Sequence, residues 1–532
     1  VNLQNKLHSS WWKAEGVQII RLDHGQEILN DLARGAEPGY PAINRLKASR
    51  RPLFVAFPIW IGPLMERLTA RTQLHDSIHS PAYDRQALRP GIVHIGLGAF
   101  HRAHQAVYTD AALAHAFGNW GIVGVSLRSR EIAHDMQAQD CLYSVVARDR
   151  SGDSIGVVGS IIEAIAASED GEAVLARLAD PAVHVVTLTV SEKAYGIDPV
   201  GGGLDHAHPA IASDLKSPTR PTGAIGYLTE GLARRRDGGQ RPFTVLCCDN
   251  LPSNGRIVRR LVIEMAEMRD PALAAWIAEN VSFPCSMVDR IVPAATAETR
   301  ARAERLLGVE DRLSIEAETF SQWVIEDDFV SDRPAWEAGG ALFVKDVEPY
   351  EKMKLRLLNG SHSLIAYLGQ LQKLEFVRDV MGVAENVALV RRHMQAAVRT
   401  LDPVPGIDLA RYMDQLVERF ANPAIAHRTL QIAMDGSQKL PQRLFQPAVD
   451  ALSSGSDGAE FAFATAVWIA FIRQADTLDD PRSGELLKAA ADAGQAGDET
   501  ASFFAIPGLF PRELQANRAW RDRVNSLLKS LR

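Results

Sequence analysis

"GIVHIGLGAFHRAHQ", residues 91–105, is the stretch that decides the fold. An apolar, β-branched run ending at Ile95 meets Gly96 and Gly98, and helix-forming residues follow. That is the strand-to-helix setting in which a glycine pair can cradle a dinucleotide. Gly96 permits a tight turn, and Gly98 lets backbone approach a pyrophosphate. The helix start then offers free N–H groups and partial positive charge. Gly96, Gly98, Ala99, Phe100 and His101 are therefore the candidate cofactor residues, with His101 standing where the usual pattern has a third glycine. The same residues also suit an ordinary strand–helix turn that holds no ligand.

Outward from this turn the texture alternates. Residues 100–117 read as a helix and "WGIVGVSL" (120–127) as the next strand; "VHVVTLTV" (183–190) and "FTVLCCD" (243–249) are further strands. "AIGYLTEGLARRR" and "RIVRRLVIEMAEM" read as helices. Strands separated by helices imply a mostly parallel sheet covered on both faces, an α/β domain over roughly 85–345. Beyond Tyr350 the periodicity is helical, giving an all-helical domain over 346–532, with "SSGSDGAE" (453–460) as a loop within it.

The whole chain sets outer bounds. It has 532 residues, enough for two or three domains, and a net charge of -7. That balance argues against nucleic acid as a partner. Four cysteines lie in no CxxC pair, which excludes a zinc-ribbon spacing and fits a reducing cytoplasm. "LFVAFPIWIGPLM" (53–65) is too short to span a bilayer and carries two prolines. Residues 1–64 are expected to be an upstream extension with little or no fold, the working protein starting near Met65.

At the end of the second predicted strand, "SLRSRE" puts Arg128 and Arg130 ahead of the first acid, Glu131. A carboxylate there would bind the ribose of NAD, and an arginine would accept the 2′-phosphate of NADP. The choice between them stays open. His101 and His104 form an HxxH pair without a nearby third ligand, a poor zinc set.

"KLRLLNGSH" (354–362) carries a lysine, an asparagine and a histidine in an apolar setting. On a regular helix Lys354 and His362 are about 80° apart, whereas Lys354 and Asn359 are about 140° apart. A helix bent or ended near Gly360 would let all three line one cavity. A desolvated lysine has a lowered pKa and can act as a general base. Glu351, one turn earlier, could relay its proton. The alternative is an exposed lysine before a helix-ending Asn-Gly turn.

Together "GIVHIGLGAFHRAHQAVYTDAAL", "FTVLCCDNLPSNG", "FPCSMVDRIVPAAT", "QWVIED" and "EKMKLRLLNGSHS" resemble the polyol-specific long-chain dehydrogenase/reductase (mannitol dehydrogenase) family. The resemblance runs from about residue 80 to near the C-terminus. It implies a Rossmann-type N-terminal domain, a helical C-terminal domain and a site between them. It also implies zinc-independent hydride transfer with NAD, NADP being possible. The family's catalytic lysine, asparagines and histidine match Lys354, Asn250, Asn359 and His362. Substrate-lining positions match Asp289 and Lys439.

The phrasing of "FPCSMVDRIVPAAT" and "HRTLQIAMDGSQKLPQR" is that of the family's fructuronate reductase branch, which interconverts D-fructuronate and D-mannonate. A uronate wants a cationic partner, for which Arg356, Arg428, Arg443 and Lys439 are candidates. Gln431 stands where an arginine is expected in mannitol dehydrogenases, so a mannitol/fructose enzyme is the second expectation. A non-catalytic NAD-binding module is the third. The expected partner is a small sugar acid or polyol, with no nucleic acid and no membrane, on a monomer or weak oligomer.

Overall fold

The computed structural model describes residues 66–199, 201–493 and 498–531, and before them only the backbone of three strands. The chain divides into two units, Val1–Glu66 and Arg67–Arg532. In the first, where little or no fold was expected, strands Trp11–Ala14, Val17–Leu22 and Leu53–Pro58 pair antiparallel in that order. The other residues of 1–65 lie outside the described residues, and the expected start at Met65 lies there with them.

The second unit is organised around five parallel strands. Their spatial order is Thr244–Cys247, Val185–Leu188, Pro90–Ile95, Gly121–Ser126, Ile161–Ala166. By position in the chain this is 5-4-1-2-3, the order of a Rossmann sheet. Both faces are buried, and the period-2 alternation of the strands divides them. Val93, Ile95, Val123 and Val125 share a core with the helices Gly171–Ala179, Ala224–Asp237 and Asn254–Arg269. Ile92, Ile122 and Ala164 share another with the helix Gln105–His115 and with Trp323 and Trp336.

The expected helix over 100–117 is two helices, Ala99–Ala103 and Gln105–His115, interrupted at His104 (φ −125°, ψ −90°). The His104 ring stacks on Phe100, and its Nε2 donates to Gln322 O (3.0 Å). Two three-stranded sheets not foreseen in the sequence complete the domain. One joins Ile315–Glu318, Tyr143–Asp149 and Gly152–Val158; the other joins Ser286–Asp289, Gln322–Glu326 and Leu342–Val344.

From Glu348 onward the described chain is helical. Its core takes in Met287 and Val324 of the second small sheet along with Met353, Leu357 and Leu364, so sheet and helices share one apolar cluster. The fold is thus a Rossmann-type domain followed by a helical domain. All four cysteines are buried and free. Among the described residues no helix is long and apolar enough to cross a membrane.

Candidate active site

The first and fourth strands of the sheet lie side by side, and their connections leave in opposite directions along the sheet. A crevice opens at such a switch point. Gly96 sits there at φ +110°, and a Cβ on it would meet Thr189 O at 2.1 Å. No other residue fits that turn. Gly98 differs: its backbone is extended, and a Cβ would find nothing nearer than Gly96 O at 3.8 Å. Nothing within the chain demands a glycine at 98. The clear space before the helix Ala99–Ala103 fits the pyrophosphate of a dinucleotide.

His101 explains how the chain manages without a third glycine. Its ring lies flat on His94, centroids 3.3 Å apart and planes 10° apart, filling the helix–strand gap. His94 Nε2 donates to Gly96 O (2.9 Å), so its Nδ1 accepts from the Thr187 hydroxyl (2.7 Å). Burial holds all three histidines neutral: His94 and His104 are pushed down to about 3, and His101 well below its ordinary value. Among the described residues no group of three or more His, Cys, Asp or Glu could hold a metal ion. Arg128 and Glu131 are exposed where the second strand ends, and Arg130 is 3.8 Å from Glu169.

The lysine segment departs from the expected bend. Helix runs through Gly360: Glu348–Met353 is α, Lys354–Asn359 is a π turn, and Gly360–Gln372 is α again. The Gly360 N–H donates to Leu355 O, five residues back. In a π turn the backbone hydrogen bond spans five residues, so residues five apart lie about one turn from each other. That brings Lys354 and Asn359 onto one face, where regular α geometry would splay them.

Lys354 is 7% exposed. Its Nζ donates to Asn250 Oδ1 (2.5 Å) and to Val288 O (2.6 Å). Burial lowers its pKa, and the charges of Arg443 and Arg419 push the same way against Asp289 and Glu351. Because an ammonium can meet only the carbonyl end of Asn250, the amide N–H₂ is turned away from the lysine. Asp249, next to it, accepts from Val190 N–H (2.9 Å), Ser191 N–H (3.1 Å) and the Tyr195 hydroxyl (2.7 Å), which fixes where the fifth strand ends.

Lys354, Asn250 and Asn359 line a cavity of about 730 Å³, together with Phe100, Asp289, Arg428 and Gln431. A larger hollow, about 910 Å³, lies between residues 68–86 and the strand Ile161–Ala166 and contains none of the candidates. Glu351 accepts the Ser253 N–H (3.0 Å), and burial pushes its carboxyl up to about 7. His362 is buried against Phe420 and His427, with Nε2 unpartnered and the imidazole held neutral by burial.

Other candidates find different settings. Asp289 is gripped by Arg419 through two hydrogen bonds (2.8 and 3.0 Å), and the same guanidinium holds Glu318 (2.9 and 2.7 Å). This buried cluster pins the strand that carries Val288 O. Arg419 had no local signature beyond its place on an amphipathic helix, and a backbone acceptor such as Val288 O has none at all. Lys439 does not line the cavity; it donates to Met434 O (2.7 Å).

Comparison with known proteins agrees with this architecture. Residues 90–338 match the mannitol dehydrogenase Rossmann domain, and residues 346–532 match the mannitol dehydrogenase C-terminal domain. The chain is 43% identical to D-mannonate oxidoreductase of Escherichia coli, over 85% of this chain and 95% of that one. It is 38% identical to mannitol 2-dehydrogenase of Aspergillus terreus, over 86% and 93%. It superposes with a TM-score of 0.78 and 35% identity on Pseudomonas fluorescens mannitol 2-dehydrogenase in ternary complex with NAD and D-mannitol, covering 87% of this chain and 96% of that one. The chain belongs to the mannitol dehydrogenase family. It is an oxidoreductase of the polyol and sugar-acid dehydrogenase class, built on an NAD(P)-type Rossmann domain.

Proposed function

We propose that the protein interconverts D-fructuronate and D-mannonate with NAD or NADP, using Lys354 as general acid and base. The observation that carries the mechanism is the lysine clasped between Asn250 Oδ1 and Val288 O with its pKa lowered. When bound in the crevice, the nicotinamide supplies or takes the hydride. In reduction, Lys354 delivers the proton that converts the carbonyl oxygen to a hydroxyl. The amide groups of Asn250 and Asn359 face the charge that builds on that oxygen. His362, neutral and with a free ring nitrogen, hydrogen-bonds a neighbouring hydroxyl. In oxidation the lysine takes the hydroxyl proton, and Glu351, poised near neutrality, relays it onward.

Support for an acid substrate comes from the cavity wall, where six basic side chains face three acidic ones in a chain of net charge -7. Such a lining concentrates anions. Identity to the mannonate enzyme is also higher than to the mannitol enzymes compared above. The superposition on a mannitol 2-dehydrogenase favours the second reading, an uncharged polyol/ketose pair. Oxidation of NADH and NADPH, with EDTA present and D-fructuronate and D-fructose offered in parallel, separates the two. Fast turnover of fructose alone would reject the sugar-acid reading, and turnover of neither would reject both.

A further inference from the structure

A sugar acid needs a cation that no other group has claimed. Of the four candidates in the sequence, Arg356 is buried and engaged, with Nη1 on Thr400 O (2.6 Å) and Nη2 on Asp450 (2.5 Å). Arg428 has a side chain 65% exposed and paired with Glu375 at 3.1 Å. Lys439 is tied to Met434 O and lies 3.9 Å from Asp435.

Arg443 is different. It is half-buried, and its hydrogen bond goes to a neutral group, Nη1 to Ser363 Oγ at 3.2 Å. Among the described residues no carboxylate lies within the 4.0 Å of an ion pair. A guanidinium sunk in protein without an anion is an expensive arrangement. Burial lowers its pKa to about 10.

Its placement is as informative. Arg443 belongs to a second π turn, Pro441–Phe445, which packs on the first: a Cβ on Gly360 would be 3.0 Å from Arg443 O. Ser363 joins the two, since its hydroxyl donates to Asn359 O (3.1 Å) while accepting from Arg443. The charge of Arg443 also acts on both Lys354 and His362. The acidic groups in its field are the Tyr367 phenol and Glu192, with Lys439 as a second cation. Glu192 forms no ion pair with either cation, and partial burial pushes its carboxyl up.

We propose that Arg443, aimed by Ser363, receives the carboxylate of the sugar acid and so sets which end of the substrate faces Lys354. This rests on the sugar-acid reading above. A carboxylate would satisfy the guanidinium through two parallel hydrogen bonds.

The test uses the full-length protein and its R443Q and R443K variants. The ratio of kcat/KM for D-fructuronate over D-fructose should fall by about 10²-fold or more in R443Q. R443K should recover part of it, and NADH affinity should stay as in wild type. Calorimetric titration of D-mannonate into NADH-loaded protein, a complex that cannot turn over, should show the same loss. A ratio within fivefold of wild type overturns the proposal. So does an equal loss for both substrates, which would mark Arg443 as merely structural. If R443Q does not fold, S363A takes its place: a roughly tenfold rise in KM for fructuronate at constant kcat is expected, and an unchanged KM overturns the idea. Wild-type protein that reduces fructose but not fructuronate sinks the sugar-acid reading itself. Wild type active on fructuronate with an equally active R443Q sinks only the role of Arg443.

Discussion

Replacing Lys354 with methionine keeps the length and apolar stem of the side chain and removes only the ammonium. Two losses follow from the geometry. The general acid is gone, which typically costs about 10²–10⁴-fold. Asn250 Oδ1 also loses its partner at 2.5 Å, so the amide can turn and its N–H₂ no longer faces the developing oxyanion. One such donor carries about 10²–10³-fold. Groups acting as a unit do not add, so the expected fall in kcat is on the order of 10⁴-fold. NADH affinity, read by fluorescence quenching, should be unchanged, because the glycine turn is untouched. The pH dependence gives a second readout. The lysine pKa is lowered, so in wild type reduction should slow and oxidation should quicken as pH rises through that lowered value. In K354M that inflection should vanish in both directions. A kcat within tenfold of wild type, or an inflection that survives, would refute the assignment of Lys354 as acid and base.

Three further outcomes are expected. Gly96→Ala places a methyl 2.1 Å from Thr189 O at a positive φ, so it should unfold the turn and abolish NADH binding. Gly98→Ala meets open space, so it should melt as wild type does yet bind NADH at least tenfold more weakly; equal behaviour of the two variants in melting and titration would contradict the cofactor reading. Arg419→Met leaves Asp289 and Glu318 buried without a counter-ion, and urea unfolding should show a loss of about 3–5 kcal/mol; a change under 1 kcal/mol by the same assay would rule out that anchoring role. The depressed pKa values of His94, His101 and His104 mean that the unfolded chain binds more protons than the folded one below about pH 6.5. Stability should therefore fall as pH drops from there towards 3, by about 1.4 kcal/mol per pH unit for each histidine. In His101→Phe, followed by urea midpoints across that range, the slope should be shallower by one such share.

Much of the Rossmann half was legible because a buried parallel strand is a dense β-branched run and Gly96 is a backbone requirement written in one letter. The small sheets escaped notice for the opposite reason: Leu342–Val344 and Ser286–Asp289 are three and four residues long and stay in place through neighbours remote in the chain. Lys354, Asn359 and Asn250 could be named from motif likeness, but their convergence could not. Spacing on a regular helix argued against Lys354 meeting Asn359, and it took a π turn to reverse that. Arg443 could be named only as one of four cations. Its lack of an anion is a property of everything around it, and no local window of sequence carries it.

Counted along the chain, the π turn is one residue more than an α-helix needs between the same two ends. Its length therefore matters more than its letters. Removing a single residue between Leu355 and Leu358 would let regular helix close with the lysine and the asparagine four apart, about 40° from each other and still on one face. Substitutions within the turn leave this phase intact. Among natural relatives, then, the interval from lysine to asparagine should be five on a π turn or four on regular helix, even where the intervening side chains drift. A homologue one residue longer there, which would put the pair about 120° apart on regular helix, should be suspected of having lost this chemistry, however well the rest of its chain aligns.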